Sequence, residues 1–504
     1  MNNNVVNSTQ KDDEQIKVEK RSVTDQYGHQ YLLTKELSKG AQGAVYVTNL
    51  PNLLVKISAS NDDDIVDEDT ILFKNKVYDM VRILPIGNKT NIILPLSILE
   101  NAIGYTMELL EDMDSLENVF RKNDRLDIES RSVWLEEQYR TAPDFAKLFD
   151  NYIATGGLRK RLLCLIMAAI TLSRIHMNGL VYGDLSLKNI FVSKEKDYHE
   201  TWFIDSDNLD YLENTECRGS GWKTPGYGAP EIYKGSPNTM YSDAFTFAMI
   251  AFVLLTDIHP FVGEASRRLE IEVDKDIHHE YRNFINYDMV EELSLIANLP
   301  WIGDPIGSND IKWPYGFYIT NELYTSFQQT FGIEGKSNLI ARATLPEWID
   351  ILVKAYDHVV RCKHCGMSYY GCDYPGKQNN DCPWCDGKSE KVVITSFLVT
   401  GEQRKLKWTC IHEATEGTID IPLRLVQTGF DINTIEDVLC RLQITNKGFI
   451  VSDWHRNYKC TLYTDSSENL SYYSYKTATN DDLQLRVTHK ETEKEYFIDI
   501  KVES

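Results

Sequence analysis

The feature that most constrains the fold is a polar loop between two apolar runs, "GLVYGDLSLKNIFV", at residues 179–192. Within it Asp184 and Asn189 follow the pattern D-x4-N, and the next apolar run, "TWFI", ends at Asp205. An aspartate at a strand end and an amide oxygen from a nearby loop are the hard oxygen ligands that a phosphate-bound divalent cation requires. A second aspartate that can accept a hydroxyl proton would complete the requirements of phosphoryl transfer.

Two upstream segments could contact the phosphates. In "ELSKGAQGAVYV" (36–47), Gly40 and Gly43 lie between strand-like runs, and small residues let backbone amides approach phosphate oxygens closely. Lys56 follows in the apolar strand "NLLVKIS" (52–58). Each segment alone has a simpler interpretation, because a glycine-rich hairpin is more often only a hairpin and a strand lysine usually faces solvent. Glu68, in the helical pattern of residues 65–80, is by itself best interpreted as a solvated side chain.

Taken in order, these motifs resemble the eukaryotic-like Ser/Thr protein kinase family: glycine-rich hairpin, strand lysine, helix glutamate, D-x4-N and an aspartate at a strand end. Downstream, "TPGYGAPEI" (224–232) is similar to the end of the family's activation segment. "YSDAFTFAMIAFVLLTDIHPF" (241–261) is similar to its central buried helix, and "RATLPEWIDIL" (342–352) to its last helix. The resemblance covers residues 28–358 and implies that Arg342 pairs with Glu231.

The resemblance implies a role for each matching residue. Asp184 would accept the substrate hydroxyl proton, while Asn189 and Asp205 would hold Mg²⁺. Lys56, oriented by Glu68, would contact the α- and β-phosphates of ATP. The residues implied to contact the nucleotide are Ser38, Gly40, Gly43, Val45, Lys56, Glu68, Met107 beside the adenine pocket, and Glu108 and Leu110 in the hinge.

The sequence departs from the family pattern around the catalytic loop. Tyr182-Gly183 replaces the His-Arg pair, whose arginine normally contacts a phosphorylated activation segment, so we expect activity without phosphorylation of Thr215 or Ser220. Ser186 replaces the lysine that stabilises the transferring phosphoryl group. Lys188 could take over that role, although it precedes Asn189 and could point outward.

The metal-loop motif is Asp205-Ser206-Asp207 in place of Asp-Phe-Gly. The combination of "GDLS…N" with "DSDN" resembles a bacterial branch of the family, whose kinases are encoded beside a metal-dependent phosphatase and a von Willebrand-A-type protein. That resemblance makes these proteins candidate partners, besides the protein substrates. Thr224 is typical of kinases that act on serine and threonine.

Two function classes remain open at this stage. The first is an active Ser/Thr protein kinase. The second is a pseudokinase, a scaffold that acts through nucleotide binding or through its C-terminal surfaces. Pseudokinases usually lose at least one of the groups that phosphoryl transfer needs, and here Lys56, Asp184, Asn189 and Asp205 are all present. The sequence therefore favours the active enzyme.

Four cysteines predict a metal site. "CKHCG" (362–366) and "CPWC" (382–385) form CxxC-x16-CxxC. Two tight turns with two thiolates each make a tetrahedral site for structural Zn²⁺, and four thiolates leave no open position for catalysis. The ligands would be Cys362, Cys365, Cys382 and Cys385, with Cys372 as a spare that fits the spacing less well.

Beyond Lys388 short alternating runs such as "KVVITSFLV" and "EYFIDIKV" predict a separate all-β, sandwich-like domain. It faintly resembles a forkhead-associated domain but shows no evident phosphate-binding residues. The predicted fold is α+β: a bilobal kinase-like domain, a zinc ribbon and this β domain. Its parts are a disordered tail 1–24, a kinase domain 28–358 with lobes 28–112 and 113–358 and insertions 114–160 and 260–330, a ribbon 360–388 and a β domain 390–504.

Charge and hydropathy limit the partners. A net charge of −22 over 504 residues disfavours general binding to nucleic acid or anionic membranes. The longest apolar run, 244–256, is shorter than the ~20 residues of a membrane span and indicates a buried helix. The polar N-terminus has no secretory pattern, so we expect a cytoplasmic protein in which the ten cysteines are thiols or metal ligands.

Overall fold

The computed structural model describes most of the chain. The chain divides into a small unit of residues 1–88, 93–111 and 205–207, and a large unit of residues 89–92, 112–204 and 208–504. The described residues are 21–40, 43–58, 77–78, 81, 86, 89–121, 143–195, 198–211, 223–274, 290–305, 318–371, 381–385, 387–414, 417–427, 434–445, 448–462 and 483–503. Glu68, Thr215, Ser220 and Cys372 lie outside them.

The small unit contains a six-stranded antiparallel sheet in the order β1-β2-β3-β4-β6-β5. Its strands are β1 Ser22–Thr24, β2 Gln30–Gly40, β3 Gly43–Thr48, β4 Leu53–Ser58, β5 Ser97–Ile98 and β6 Gly104–Glu108. Val55 and Ile57, which alternate along β4, pack with Tyr31 and Leu99 in the core. Strand β1 corrects one prediction: residues 22–24, assigned to the disordered tail, pair with β2.

The large unit is mainly helical up to residue 357. Its helix bounds are α1 Leu116–Phe120, α2 Pro143–Ala154, α3 Gly157–Met177, α4 Pro230–Tyr233, α5 Met240–Thr256, α6 Glu264–Asp274, α7 Val290–Ile296, α8 Asn321–Phe331, α9 Ile333–Ser337 and α10 Leu345–Asp357. Short strands β7 Met113–Ser115, β9 Ile190–Ser193 and β10 Thr201–Phe203 form one sheet, and β8 Leu180–Val181 pairs with β11 Asp210–Tyr211. Helix α3 packs against α5 and α10.

Helix α5 is the centre of the large unit. Residues 242–256 are all buried, as expected for a helix that is apolar on every side. Thr239 and Ser242 form a capping box at its start, and each satisfies a backbone N–H of the other. This confirms the interpretation of the run as a buried helix. Among the residues that the structure describes, no helix has the length and apolarity to cross a membrane.

Aromatic side chains join α5 to the predicted insertion 260–330. The Phe252 ring contacts Trp301 and Phe327 edge-on, with ring centroids 5.9 and 5.1 Å apart. Trp301 is fully buried, so the described part of this insertion contributes to the core. In the predicted insertion 114–160, part of α1 and Leu158 at the start of α3 are buried as well. The bounds of both insertions stay predictions.

The cysteine-rich segment packs directly onto the helices. The indole of Trp384 contacts the rings of Phe149 and Tyr318 at 4.3 and 5.4 Å between centroids. Ser368, in the hairpin of β12 Val359–Arg361 and β13 Ser368–Tyr370, accepts the backbone N–H of Leu158 at 2.6 Å. The start of α3 and the segment at 368 are thus held together, across the boundary predicted at residue 358.

From residue 391 onward, the described part of the chain forms eight strands and one 3-10 helix. Two sheets have the orders β15-β14-β21-β20-β19 and β16-β17-β18. Trp408 and Arg424 of this region both donate to Asp357 at the end of α10. These contacts hold the strands against α10. That the strands form a separate, sandwich-like domain therefore stays a prediction. The strands are β14 Lys391–Thr400, β15 Gln403–Glu413, β16 Gly417–Pro422, β17 Val438–Thr445, β18 Gly448–Ser452, β19 Tyr458–Leu462, β20 Leu483–His489 and β21 Glu495–Glu503.

Candidate active site

A row of paired residues crosses the sheet of the small unit. Ser38 pairs with Val45, Val45 with Lys56, and Lys56 with Tyr105. Directly opposed residues of neighbouring strands project from the same face of a sheet. Three of the residues predicted to contact the nucleotide therefore share one face, and Tyr105 joins them with its ring centroid 6.0 Å from Lys56 Nζ.

The glycine-rich hairpin places Gly40 opposite Gly43, at the ends of β2 and β3. Gly43 has a φ of 144°, and a Cβ there would lie 2.1 Å from the carbonyl oxygen of Ile57. A side chain at this position is therefore excluded by the neighbouring strand as well as by the backbone angle. Met107 and Glu108 lie on β6, paired with Leu54 and Leu53 of β4.

Lys56 is buried, with 4% of the residue exposed, so the solvent-facing interpretation is wrong for this strand. Its Nζ lies 3.0 Å from Oδ1 of Asp205 and 2.9 Å from Oδ2 of Asp207. Burial alone would lower the pKa of the ammonium, but Tyr105 and the two carboxylates hold the pKa of Lys56 well above its usual range. The lysine is therefore charged and held by opposite charges.

Asp205 follows strand β10 by two residues and has a φ of 54°. Aspartate tolerates this left-handed conformation better than most residues, because its short side chain can form local hydrogen bonds. The reversal precedes a single 3-10 turn, Ser206–Asn208. Together they bring the carboxylates of Asp205 and Asp207, two residues apart, to the same ammonium group.

In the large unit, three described side chains donate hydrogen bonds to Asp184. Thr224 Oγ1 donates to Asp184 Oδ1 at 2.8 Å, and Asn208 Nδ2 donates to Oδ2 at 3.3 Å. Asn189 Nδ2 donates to the backbone oxygen of Asp184 at 2.8 Å and to Oδ2 at 3.4 Å. These bonds orient the carboxylate of Asp184, which a general base requires.

The carboxylate of Asp243, in α5, holds the backbone of the loop 179–192 in place. Its Oδ2 accepts the backbone N–H of Tyr182 at 2.8 Å, and its Oδ1 accepts that of Gly183 at 3.0 Å. His176 Nε2 lies 2.9 Å from the same carboxylate. Gly183 has a φ of 83°, and a Cβ there would lie 3.0 Å from Asn238 Nδ2. The left-handed backbone at position 183 therefore favours the glycine of "YGD" over the arginine that the family has there.

Tyr182 links the loop to the segment before Asp205. Its side chain is fully buried, and its hydroxyl donates a short hydrogen bond to the backbone oxygen of Ile204. The ring packs edge-on against Phe203 at 5.1 Å between centroids. A histidine could not reach as far, which gives the change at this position a structural reason.

Ser186 and Lys188 have opposite environments. Ser186 is 1% exposed, and its Oγ is buried without a hydrogen-bond partner among the described residues. Lys188 is exposed. The serine side chain is therefore enclosed, and the lysine faces solvent.

A pocket lies against the loop 179–192 within the large unit. Leu185 and Ile232 contribute apolar groups to its lining, and Lys223 and Asn238 contribute polar ones. Thr224, whose hydroxyl donates to Asp184, also lines it.

Each of the two units offers an oxygen of the kind that a magnesium ion binds. Asn189 uses its amide nitrogen on Asp184, which leaves its Oδ1 as the atom that could bind a cation. Asp205 contacts Lys56 through Oδ1 and has 28% of its side chain exposed. Carboxylate and amide oxygens are preferred by Mg²⁺, which usually keeps several waters and binds substrate phosphates.

The four predicted zinc ligands converge. The Sγ atoms of Cys362, Cys365, Cys382 and Cys385 all lie within 4.8 Å of one another, and two of the Sγ–Sγ distances are 3.7 Å. A tetrahedral zinc ion with Zn–S bonds of about 2.3 Å requires sulfur separations of about 3.8 Å. A hydrogen bond from Cys365 lowers the pKa of Cys382 to about 5, which favours the thiolate, the form that binds zinc. The cluster could therefore hold a zinc ion.

Residues 107–299 match the family model described as Protein kinase domain. Calcium/calmodulin-dependent protein kinase type 1 of Caenorhabditis elegans is 26% identical over 181 residues, which are 35% of this chain and 49% of that protein. Serine/threonine-protein kinase 17A of Oryctolagus cuniculus is 27% identical over 101 residues, 20% of this chain and 25% of that protein. This chain spans less than half the length of these curated relatives.

These similarities support a protein kinase domain of the eukaryotic-like Ser/Thr type in this part of the chain. Such a domain implies ATP and Mg²⁺ as cofactors. The relatives named above are eukaryotic, so the bacterial branch stays a prediction.

Sequence reasoning did not assign three residues that contact the key groups: Tyr105, Asp207 and Asn208. The signal for two of them was present, since Asp207 and Asn208 complete the "DSDN" motif that begins at Asp205. Tyr105 gives no such signal, because only the register of β6 against β4 places it opposite Lys56.

Proposed function

We propose that this chain is an ATP-dependent protein kinase that transfers the γ-phosphoryl group to serine or threonine hydroxyls of proteins. The observation that carries the proposal is the bonding around Asp184, whose Oδ1 accepts from Thr224 at 2.8 Å and whose backbone oxygen and Oδ2 accept from Asn189 at 2.8 and 3.4 Å. A general base must be held in a defined orientation, and these bonds hold Asp184 in one. The similarity of residues 107–299 to protein kinase domains supports the same function.

Each group has a defined task in the proposed reaction. Asp184 accepts the proton of the acceptor hydroxyl, and Lys56 contacts the nucleotide phosphates. Bound Mg²⁺, held by Asn189 and Asp205, would supply positive charge that offsets the charge of the phosphoryl oxygens. Thr224, whose hydroxyl donates to Asp184, favours serine and threonine as acceptors.

We also propose structural Zn²⁺ as the ion of the cysteine cluster. Its four thiolates would close the coordination shell, so the ion would stabilise the fold and take no part in phosphoryl transfer. We also propose that this chain belongs to a bacterial branch of the protein kinase family. A metal-dependent phosphatase or a von Willebrand-A-type protein would be its partner. This proposal depends on the "GDLS" and "DSDN" motifs.

One observation favours the alternative, a pseudokinase scaffold. Where the family has a lysine, Ser186 is enclosed, and the nearest candidate replacement, Lys188, faces solvent. A positively charged side chain beside the transferring phosphoryl group contributes several kcal/mol to transition-state stabilisation. For a single donor this corresponds to a rate factor on the order of 10²–10³. The alternative would bind nucleotide and transfer nothing.

The deciding experiment compares wild type, Asp184→Asn and Asp420→Asn with labelled ATP, Mg²⁺ and a general protein acceptor. Asp420 is an exposed carboxylate paired with Arg441, so its substitution makes the same chemical change on the surface. We expect transfer to serine or threonine in wild type and in Asp420→Asn, and loss of transfer in Asp184→Asn. Nucleotide binding without transfer by any of the three proteins would instead support the scaffold.

A further inference from the structure

The ammonium of Lys56 contacts three carboxylate oxygens of the small unit. Two belong to Asp207, at 2.9 and 3.2 Å, and one belongs to Asp205, at 3.0 Å. The side chain of Asp207 is 2% exposed, whereas that of Asp205 is 28% exposed. The two carboxylates of the "DSDN" motif are therefore unequal in both geometry and environment.

We propose that Asp207 is the positioning residue that holds Lys56 in place for the nucleotide phosphates, so that Asp205 is available to the metal. The inference depends on the proposed kinase function and assigns a role within that same site. The sequence assigned the orientation of Lys56 to Glu68, which lies outside the described residues.

The geometry separates the two tasks. Both oxygens of Asp207 are directed at one ammonium, so the pair is bidentate and restricts the lysine in two directions. Asp205 uses a single oxygen on Lys56 and retains solvent access, which a hydrated Mg²⁺ needs in order to enter.

The charges support the same division. By formal charge, one ammonium and two carboxylates leave one negative charge in excess. Pairing Lys56 with Asp207 gives a neutral pair, and the remaining charge is then on Asp205, the exposed partner. A divalent cation bound with nucleotide phosphates would meet this charge at Asp205, while Asp207 continues to hold the lysine.

The local chain conformation explains why Asp207 has this position. The left-handed residue Asp205 reverses the chain, and the 3-10 turn Ser206–Asn208 folds the next carboxylate back towards the strand that carries Lys56. A glycine, which the family has at position 207, has no side chain to offer. The substitution of glycine by aspartate thus adds a lysine-binding group inside the metal loop.

The test is a double-mutant cycle between Lys56 and Asp207 with two readouts. The first is the steady-state KM for ATP and kcat, and the second is the affinity for Mg-ADP in a fluorescence titration. The proteins are wild type, Asp207→Asn, Asp207→Glu, Lys56→Met, the double variant Lys56→Met/Asp207→Asn, and the surface control Asp420→Asn.

We expect Asp207→Asn to lower kcat/KM for ATP on the order of 10²-fold, because the lysine is displaced from its position. Asp207→Glu, which keeps the charge one methylene away, should recover part of this loss. In the Lys56→Met background, Asp207→Asn should change the Mg-ADP affinity by less than about twofold, since a residue that acts through Lys56 has nothing left to act on. Asp420→Asn should match wild type.

Two results would overturn the inference. One is an Asp207→Asn protein with wild-type kinetics. The other is an equal loss of Mg-ADP affinity with and without the Lys56 side chain, which would make Asp207 a direct metal ligand. If Asp207→Asn does not fold, as judged by its thermal unfolding, the comparison of Asp207→Glu with wild type decides: an unchanged KM for ATP contradicts the positioning role.

The proposed function can fail separately. A wild-type protein that binds Mg-ADP but transfers no phosphate would refute the kinase, and the binding arm of the cycle would still measure whether Asp207 acts through Lys56.

Discussion

Two groups of buried charged side chains in this chain differ in their balance of charge. In the large unit, Asp357 accepts from Trp408 Nε1 at 2.8 Å and from Arg424 Nε at 2.7 Å, and Nη2 of the same arginine makes a short second bond. In the small unit, the ammonium of Lys56 is shared by the carboxylates of Asp205 and Asp207.

The difference lies in the balance of charges and donors. Asp357 and Arg424 are neutral together, and both oxygens of the carboxylate are used. The Lys56 group has one surplus negative charge and one partly exposed carboxylate. A balanced and saturated pair stabilises the packing of the β strands on α10, whereas an unbalanced one is suited to receive a further cation. Of these two buried groups, we expect only the one with unequal numbers of positive and negative charges to bind a ligand.

The largest effect in this comparison is expected from removing the zinc ion proposed for the cysteine cluster of the large unit. We expect a chelator to release one zinc ion per chain and to lower the unfolding temperature strongly, because structural zinc sites contribute roughly 10–16 kcal/mol of binding-coupled folding. The packing of Trp384 on Phe149 and Tyr318 would be lost with the ion. Nucleotide affinity should persist. Metal analysis and thermal unfolding measure the effect, and a preparation that releases no zinc would contradict it.

The second prediction concerns the unbalanced group. Lys56→Met and Asp205→Asn should each lower phosphoryl transfer at least ~10³-fold. Lys56→Met leaves Asp207 buried without its counter-charge and should also lower the unfolding temperature, whereas Asp205→Asn, at the partly exposed carboxylate, should change it little. Asparagine is chosen at position 205 because it tolerates the φ of 54° that alanine would resist. Initial rates with labelled ATP are the measurement. Undiminished activity in both variants would refute the assigned site.

The third prediction concerns the balanced pair itself. Asp357→Asn leaves Arg424 buried without its counter-charge, and we expect a loss of about 3 kcal/mol in the free energy of unfolding. The KM for ATP should stay at its wild-type value, because the pair is saturated by structural contacts. Denaturant unfolding of Asp357→Asn beside the exposed control Asp420→Asn measures the difference. Equal stability of the two variants would contradict a structural role.

The smallest expected effect is at Ser186. Its Oγ has no hydrogen-bond partner among the described residues, so Ser186→Ala removes a buried polar atom that stabilises nothing. The free energy of unfolding should change by no more than about 0.5 kcal/mol, or rise slightly. A loss of more than about 2 kcal/mol in the same unfolding assay would show that the hydroxyl has a partner in solution.

Much of the site could be predicted because it depends on spacing along the chain. D-x4-N and the following aspartate single out residues that a turn and a short strand bring into defined positions. The predicted pair of Arg342 and Glu231 is confirmed, with two N–H···O bonds of 2.7 and 2.8 Å. This contact was predictable only because the resemblance to protein kinases supplied the partner 111 residues away.

The rest depends on geometry that spacing does not encode. The burial of Lys56 follows from the neighbours of its strand, and its pairing with Asp207 follows from one left-handed residue in the metal loop. The N-terminal strand escaped prediction because a three-residue edge strand in a polar context has too little pattern to detect.

The bond between Leu158 and Ser368 has a consequence for the order of synthesis. Helix α3 begins after Gly156, which has no side chain to cap it, so the hydroxyl that accepts the Leu158 N–H comes from 210 residues further along. During synthesis, Ser368 leaves the ribosome 210 residues after Leu158, so the first turn of α3 gains this hydrogen bond only then. A chain that ends at residue 358 would therefore lack the side chain that accepts the Leu158 N–H at the start of its longest described helix, although the sequence pattern of that helix would be intact.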